Sequence, residues 1–384
     1  MTPIPDRRIE VELIRNLRGG LVAVAAVALT GMLAACSSTT ASSSESSAAP
    51  APSVSAAESA APAEPTSGGG GAEALAGKTV GVMSTLGAAE VQQRTLATIQ
   101  AGADAFGWTL TAVDGEGDPS KMQSRLQSLV DSKVDAIILV FPVPAIIGKQ
   151  LEAAKAAGIP VVSAGFVADE TPLIAAQYVG DQVKMATMLT DRIKQDNPAG
   201  GDFAIINLPG YVGVDARVNT FKDGVSGDPN FSIVAEKDVS VSDVFGGTTK
   251  AGVDILNANP DLNGFFSCCD FGGQALAPAL QQTKRDVPVY TFYAIPSVLD
   301  LVRAGKVTVV ESDEAKTGAM AIGALAAYWA DDAPLDANSD LTVFPLQYQV
   351  IDESNAPAPG EDVYPIDQQM APFLASWSEK YGIQ

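Results

Sequence analysis

Cys268 and Cys269 stand side by side, and Cys36 is the only other cysteine in the 384-residue chain. Two adjacent thiols allow three chemistries: a strained ring disulfide, soft-metal binding, or nucleophilic attack by a low-pKa thiolate. A metal would need further ligands, and the chain has no histidine to supply them. The absence of histidine also removes serine-triad and imidazole acid–base chemistry. No Lys or Arg adjoins the pair to lower a thiol pKa, so the simplest reading is two small residues ending a buried strand. No paired-carboxylate or activated-nucleophile motif stands out elsewhere. These residues predict no enzyme, no metal and no cofactor. With 45 acidic against 24 basic residues and a net charge of −21, the chain lacks the clustered cations of a nucleic-acid binder.

Cys36 sits in a different setting. Arg7, Arg8, Arg15 and Arg18 precede an apolar run, Leu21 to Leu33, too short for a confident membrane span. The run ends in Leu33-Ala34-Ala35-Cys36, which resembles a bacterial lipobox. Residues 1–36 are therefore expected to be an export signal, with Cys36 lipidated and holding the protein on the outer face of the cell membrane. Residues 37–77 are mostly Ser, Ala, Pro, Gly and Glu. That composition cannot bury a core and predicts a disordered linker.

From Lys78 onward, short apolar strands alternate with helical patterns. Strands are expected at 79–83, 108–113, 134–140 and 159–164, with helices at 89–106, 119–132 and 144–157 between them. The pattern restarts with a helix at 182–195. Strands follow at 203–207, 232–236, 264–267, 287–291 and 307–310, separated by helices at 216–225, 245–258, 273–282 and 296–304. A helix at 314–330, a strand at 342–350 and an amphipathic stretch at 370–381 close the chain. Repeated strand–helix units predict an α/β fold of two doubly wound parallel-sheet lobes with a ligand cleft between them. The lobes are expected to comprise 78–181 plus about 312–340, and 182–311 plus about 341–384.

The order of these elements resembles the type I periplasmic binding proteins, in their ribose- and galactose-binding branch. The landmarks are Val82-Met83-Ser84-Thr85, Asp118-Pro119-Ser120-Lys121, Ala157-Gly158-Ile159-Pro160-Val161-Val162, Val179-Gly180-Asp181, Asp215-Ala216-Arg217 with Phe221, Gly264-Phe265-Phe266, and Gly305-Lys306-Val307 before Glu311. The resemblance covers residues 78–350. It implies a monomer that captures a sugar, polyol or nucleoside in the cleft and delivers it to an ABC permease. The same fold also serves receptors that present ligand to a membrane sensor. A redox protein built on Cys268 and Cys269 is a third reading. A fold-related repressor is excluded, because a signal and spacer occupy the place of its DNA-binding helices.

The resemblance also implies ligand contacts. Ser84 and Thr85 fall where the first strand meets ligand, but the aromatic pair that usually follows is replaced by Gly87-Ala88-Ala89-Glu90-Val91. Phe141 occupies the place of an Asn, Gly165-Phe166 that of an Asp-Arg pair, and Tyr293 that of an Asp. Arg217 matches the family's arginine. Cys269 stands at an Asn position and Asp270 follows it. Glu311 or Ser312 corresponds to a Gln, and Tyr211 lies in a loop that can reach the cleft. A fully hydroxylated sugar needs many paired hydrogen bonds. Losing three such positions predicts a ligand flatter or less hydroxylated than a pentose.

Overall fold

The computed structural model describes residues 71–337 and 344–383. The expected export signal, Cys36 and most of the spacer lie outside the described residues. The spacer's last residues do not behave as a linker. Gly71–Leu75 forms a short helix, α1, in which Leu75 is buried and its carbonyl accepts the Trp108 indole N–H at 2.8 Å.

The first lobe has five parallel strands: β1 (Thr79–Ser84), β2 (Thr109–Asp114), β3 (Ala136–Val140), β4 (Val161–Gly165) and β5 (Ala176–Val179), in the order β2-β1-β3-β4-β5. Helices α2 (Glu90–Phe106), α3 (Pro119–Asp131) and α4 (Pro144–Ala156) connect them. β3 is buried throughout because both its faces are covered. Ala136, Ile138 and Val140 join the core on one face, while Ile137 and Leu139 join the other, as the two-residue strand period requires. α3 begins where the sequence signals it: Asp118 accepts the N–H groups of Ser120 and Lys121 at 2.8 and 3.1 Å, and Pro119 opens the first turn.

The second lobe has six strands: β6 (Gly201–Asn207), β7 (Phe231–Asp238), β8 (Leu262–Ser267), β9 (Val289–Phe292), β10 (Val307–Ser312) and β11 (Tyr348–Ile351), in the order β11-β10-β9-β8-β6-β7. All pairings are parallel except β10–β11. The helices are α5 (Gln182–Asp196), α6 (Val212–Ser226), α7 (Val244–Ala258), α8 (Phe271–Thr283) and α9 (Pro296–Arg303). The architecture is the expected pair of parallel-sheet α/β lobes. Two details differ: β5 was not foreseen, being only four residues long with Gln177 interrupting its apolar run, and the last strand is a short antiparallel edge.

The chain crosses between lobes after β5, where Asp181 caps α5, and again after β10 into α10 (Lys316–Ala330). α10 packs on α2 in the first lobe, and β11 returns to the second sheet. The tail then departs from expectation. Its helix α11 (Ile366–Tyr381) packs on α2 and α10, and buries Met370, Phe373 and Trp377 in the first lobe's core rather than the second's. The chain therefore passes between lobes once more, through residues 352–365.

Candidate ligand cleft

A cavity of about 430 Å3 lies where the carboxyl ends of the two sheets face each other, and residues of both lobes line it. Loops and helix starts converge at such strand ends, so this is where a doubly wound fold offers side chains to a ligand. Lobe-to-lobe contacts span the cleft. The Ser297 N–H donates to Glu90 Oε2 at 3.3 Å, and a β-carbon on Gly117 would lie 2.7 Å from the Val241 side chain.

The first-lobe wall is largely aromatic. Phe141 and Phe166 follow β3 and β4, and their rings stack at 5.2 Å between centroids with 9° between planes. Phe141 has a left-handed φ of 57°, an uncommon backbone for a bulky residue. The Thr85 hydroxyl holds it there, donating to the Phe141 carbonyl at 2.5 Å. Gly165, also left-handed at 91°, leaves room for the Phe141 ring, with which any β-carbon would collide. Gly213 at the start of α6 does the same for Phe166, whose ring would stand 2.6 Å from a β-carbon there. The Phe166 ring thereby reaches the second lobe. Leu86, Ala88, Ala89 and Val91 extend this wall, and the Leu86 N–H is tied to Gln92 Oε1 at 3.1 Å.

The second-lobe wall is built on Arg217 of α6, which is completely buried. Its Nε donates to Gln182 Oε1 at 2.8 Å, one terminal nitrogen to the Cys268 carbonyl at 2.9 Å, and the other to the Tyr293 hydroxyl at 2.7 Å. Tyr293 in turn donates to Glu314 Oε2. Glu314 Oε1 accepts the Gly180 N–H at 2.9 Å and the Gln182 side-chain amide at 3.1 Å. The first two crossing segments therefore end in this network. The guanidinium is stacked among Phe292, Tyr293 and Phe166, with its central carbon 4.0, 4.9 and 5.0 Å from the ring centroids. Burial pushes Glu314 up to about 7, though Tyr293 and Arg217 act against the shift. Burial likewise raises the Tyr293 phenol well above its ordinary value, with Arg217 opposing. Of the five N–H groups on a guanidinium, three are donated to these protein acceptors.

Around this wall stand Tyr211, Cys269 and Asp270, all lining the cavity. Burial raises the Tyr211 phenol to about 12 and the Asp270 carboxyl to about 6, the latter also through nearby Glu90. Cys268 and Cys269 are free thiols with their sulfurs 3.2 Å apart.

Thr85, Glu90, Phe141, Phe166, Tyr211, Arg217, Cys269, Asp270 and Tyr293 thus come together around one cavity. Ser84 and Glu311 do not line it. The Ser84 hydroxyl turns away and donates to Asp114 Oδ1 at 3.2 Å, because that carboxylate gathers the turn after β1. Glu311 is buried in an ion pair with Arg94 at 3.2 Å and accepts the Ala294 N–H. It joins the lobes instead of meeting the cavity. The sequence reading missed Gln182, which accepts from Arg217, and Glu314, which accepts from Gln182 and Tyr293, although Gly180-Asp181 and Ser312 lie beside them. It also missed the 241–246 segment, whose Val241, Ser242 and Phe245 close the cavity's rim.

Comparison with known proteins agrees with this geometry. A family model described as a periplasmic binding protein domain matches residues 80–333. The xylitol-binding protein of Mycolicibacterium smegmatis is 30% identical over 197 residues, which span 49% of this chain and 54% of that protein. The chain thus covers about half of that relative's length. The ribose import binding protein RbsB of Bacillus subtilis is 23% identical over 241 residues, 59% of this chain and 72% of that one. Among solved structures, a Mycobacterium smegmatis ABC transporter solute binding protein with bound glycerol superposes with a TM-score of 0.65 at 23% identity, over 74% of this chain and 98% of the other. The Caulobacter myo-inositol binding protein gives 0.65 at 19% identity, over 72% and 94%. At those identities the likeness is one of fold.

Proposed function

Because the chain belongs to the periplasmic binding protein family, we propose that it is an extracytoplasmic solute-binding protein. It captures a small polyol or sugar-like solute and delivers it to an ABC importer, without transforming it. The carrying observation is the cavity itself, enclosed by the strand ends of two lobes and lined by side chains from both. A cleft between two lobes joined by crossing segments can close around a solute. Relatives named for xylitol and ribose support a hydroxylated ligand.

The lining refines that class. Arg217 and Asp270 of the second lobe and Glu90 of the first supply hydrogen-bonding groups, while Phe141 and Phe166, the latter packed on Arg217, add a flat apolar surface. The fitting solute has hydroxyls along one edge and an apolar face or arm along the other. A reduced or deoxygenated polyol matches this better than a pentose hydroxylated all round. Lipidation at Cys36, supported by Leu33-Ala34-Ala35-Cys36 and the spacer after it, would hold the protein at the outer membrane face.

A thermal-shift screen of the chain against pentitols, deoxy-sugars, aldopentoses and nucleosides tests the reading. A solute at 100 times its dissociation constant adds about 2.7 kcal/mol of stability. Polyols or deoxy-sugars should give the largest rise in melting temperature. A rise confined to nucleosides would overturn the solute class, and no rise with any of the four would overturn the capture of such solutes.

A further inference from the structure

The adjacent thiols at the end of β8 can do chemistry beyond lining the cleft. Cys268 is fully buried, and burial pushes its thiol well above the ordinary value. Cys269, 3.2 Å away sulfur to sulfur, is partly exposed and faces the cavity. The backbone of the pair is tied down at each peptide group. The Cys268 N–H donates to the Ile206 carbonyl at 3.0 Å, and the Cys268 carbonyl accepts Arg217 at 2.9 Å. The Cys269 carbonyl accepts the Gly272 N–H at 3.1 Å and the Ser267 and Thr291 hydroxyls.

Adjacent residues hold their Cα atoms about 3.8 Å apart across a trans peptide, which is below the usual 4.4–6.8 Å span of a disulfide. Closing such a ring distorts the peptide between the cysteines. Strained disulfides are the easily reduced, labile kind. Here the carbonyl of the distorted peptide is the one that holds Arg217.

We propose that Cys268 and Cys269 form a reversible redox modification site, whose closure to a disulfide draws the Cys268 carbonyl off Arg217 and loosens the second-lobe wall of the cleft. The oxidant is a small-molecule disulfide, RSSR, that enters from the cavity. The Cys269 thiolate attacks one sulfur, forms a mixed disulfide and expels RS–, which takes up the proton Cys269 lost. Cys268 then attacks the Cys269 sulfur and expels the second RS–, which takes the proton from Cys268. In sum, the dithiol loses two electrons and two protons, and RSSR becomes two RSH.

The test uses the full chain without solute, so its outcome is independent of the ligand. The chain is treated with 2-hydroxyethyl disulfide, denatured, alkylated with N-ethylmaleimide and digested with trypsin, which places both cysteines in the 251–284 peptide. That peptide should carry two labels before treatment. Afterwards it should carry none, weigh two hydrogens less, and regain both labels after dithiothreitol. A disulfide between neighbours closes almost no loop, so it contributes negligible unfolded-state entropy, and strain dominates. The treated chain should therefore melt several degrees lower than the reduced one and recover with dithiothreitol. A Cys268→Ser/Cys269→Ser chain retains Cys36 and should melt alike before and after treatment. If it folds poorly, Cys269→Ala serves as the control. Retention of both labels, arrest at a mixed disulfide on Cys269, or a disulfide with unchanged melting would each overturn the proposal.

Discussion

On the first-lobe wall of the cleft, Phe141 and Phe166 are set by backbone: a left-handed φ, a glycine where a β-carbon would collide, and one hydroxyl on one carbonyl. On the second-lobe wall, Arg217 is set by side chains, with Gln182, Tyr293 and Glu314 bound to it or to each other. The first wall offers shape and few hydrogen bonds. The second offers charge, nearly all of it already paired. The two walls meet where the Phe166 ring packs on the Arg217 guanidinium, so the apolar plate adjoins the polar network. The two walls therefore rest on separable supports, one of backbone and one of side chains, and each can be broken alone.

Arg217→Ala should produce the largest effect. It leaves Gln182, Tyr293 and the Cys268 carbonyl without their donor and Glu314 without the positive charge beside it. Breaking a buried charged network of this kind costs about 3–5 kcal/mol, measurable by urea unfolding. Arg217→Lys should recover only part of this, because an ammonium cannot reproduce the planar fork. A cost below about 1 kcal/mol for the alanine variant would mean that the wall stands without its arginine.

Gly165→Ala attacks the other wall with a smaller effect. The new β-carbon meets the Phe141 ring and adopts a left-handed φ. Overpacking costs about 1–3 kcal/mol. In a Phe141→Ala background the collision vanishes and only the backbone penalty remains, so the cost of Gly165→Ala should fall by at least half. Equal costs in the two backgrounds would uncouple Gly165 from the aromatic plate.

The asymmetry between the walls also decides what could be read from the sequence. Strand-end residues such as Phe141, Phe166 and Tyr293 were legible through the resemblance, whose matched positions fall at the carboxyl ends that a doubly wound fold turns to the cleft. Arg217 was legible as a position but not as a network. Gln182 and Glu314 lie on separate crossing segments, and only the tertiary fold brings them to one guanidinium. Ser84 and Glu311 show the converse, since each sits at a strand end but is claimed by a local partner, Asp114 or Arg94. The tail was half legible. Met370, Phe373 and Trp377 mark an apolar stripe, but a stripe does not say which lobe it covers.

The smallest predicted effect separates the walls by pH, because the acids that desolvation raises belong to the second. Glu314 rises from 4.5 to about 7 and Asp270 from 3.8 to about 6, in both cases through burial first. A folded-state pKa above the unfolded one means that the native state holds the proton more tightly. Stability from these groups is therefore full below about pH 4 and lost as pH rises through 6 to 7. Asp352 works in the opposite sense: the Ser354 hydroxyl and Arg192 hold it down to about 2, so its contribution is present above pH 4 and disappears in stronger acid. Stability should peak between these windows, near pH 4–5, and decline toward pH 8. Glu314→Gln, which cannot ionise, should remove the larger part of that decline and leave the Asp270 part. Gly165→Ala should shift the whole curve down without changing its slope. If Glu314→Gln keeps the full decline, the titrating group lies outside the Arg217 network, and the second wall's charge is held as ionised carboxylate throughout.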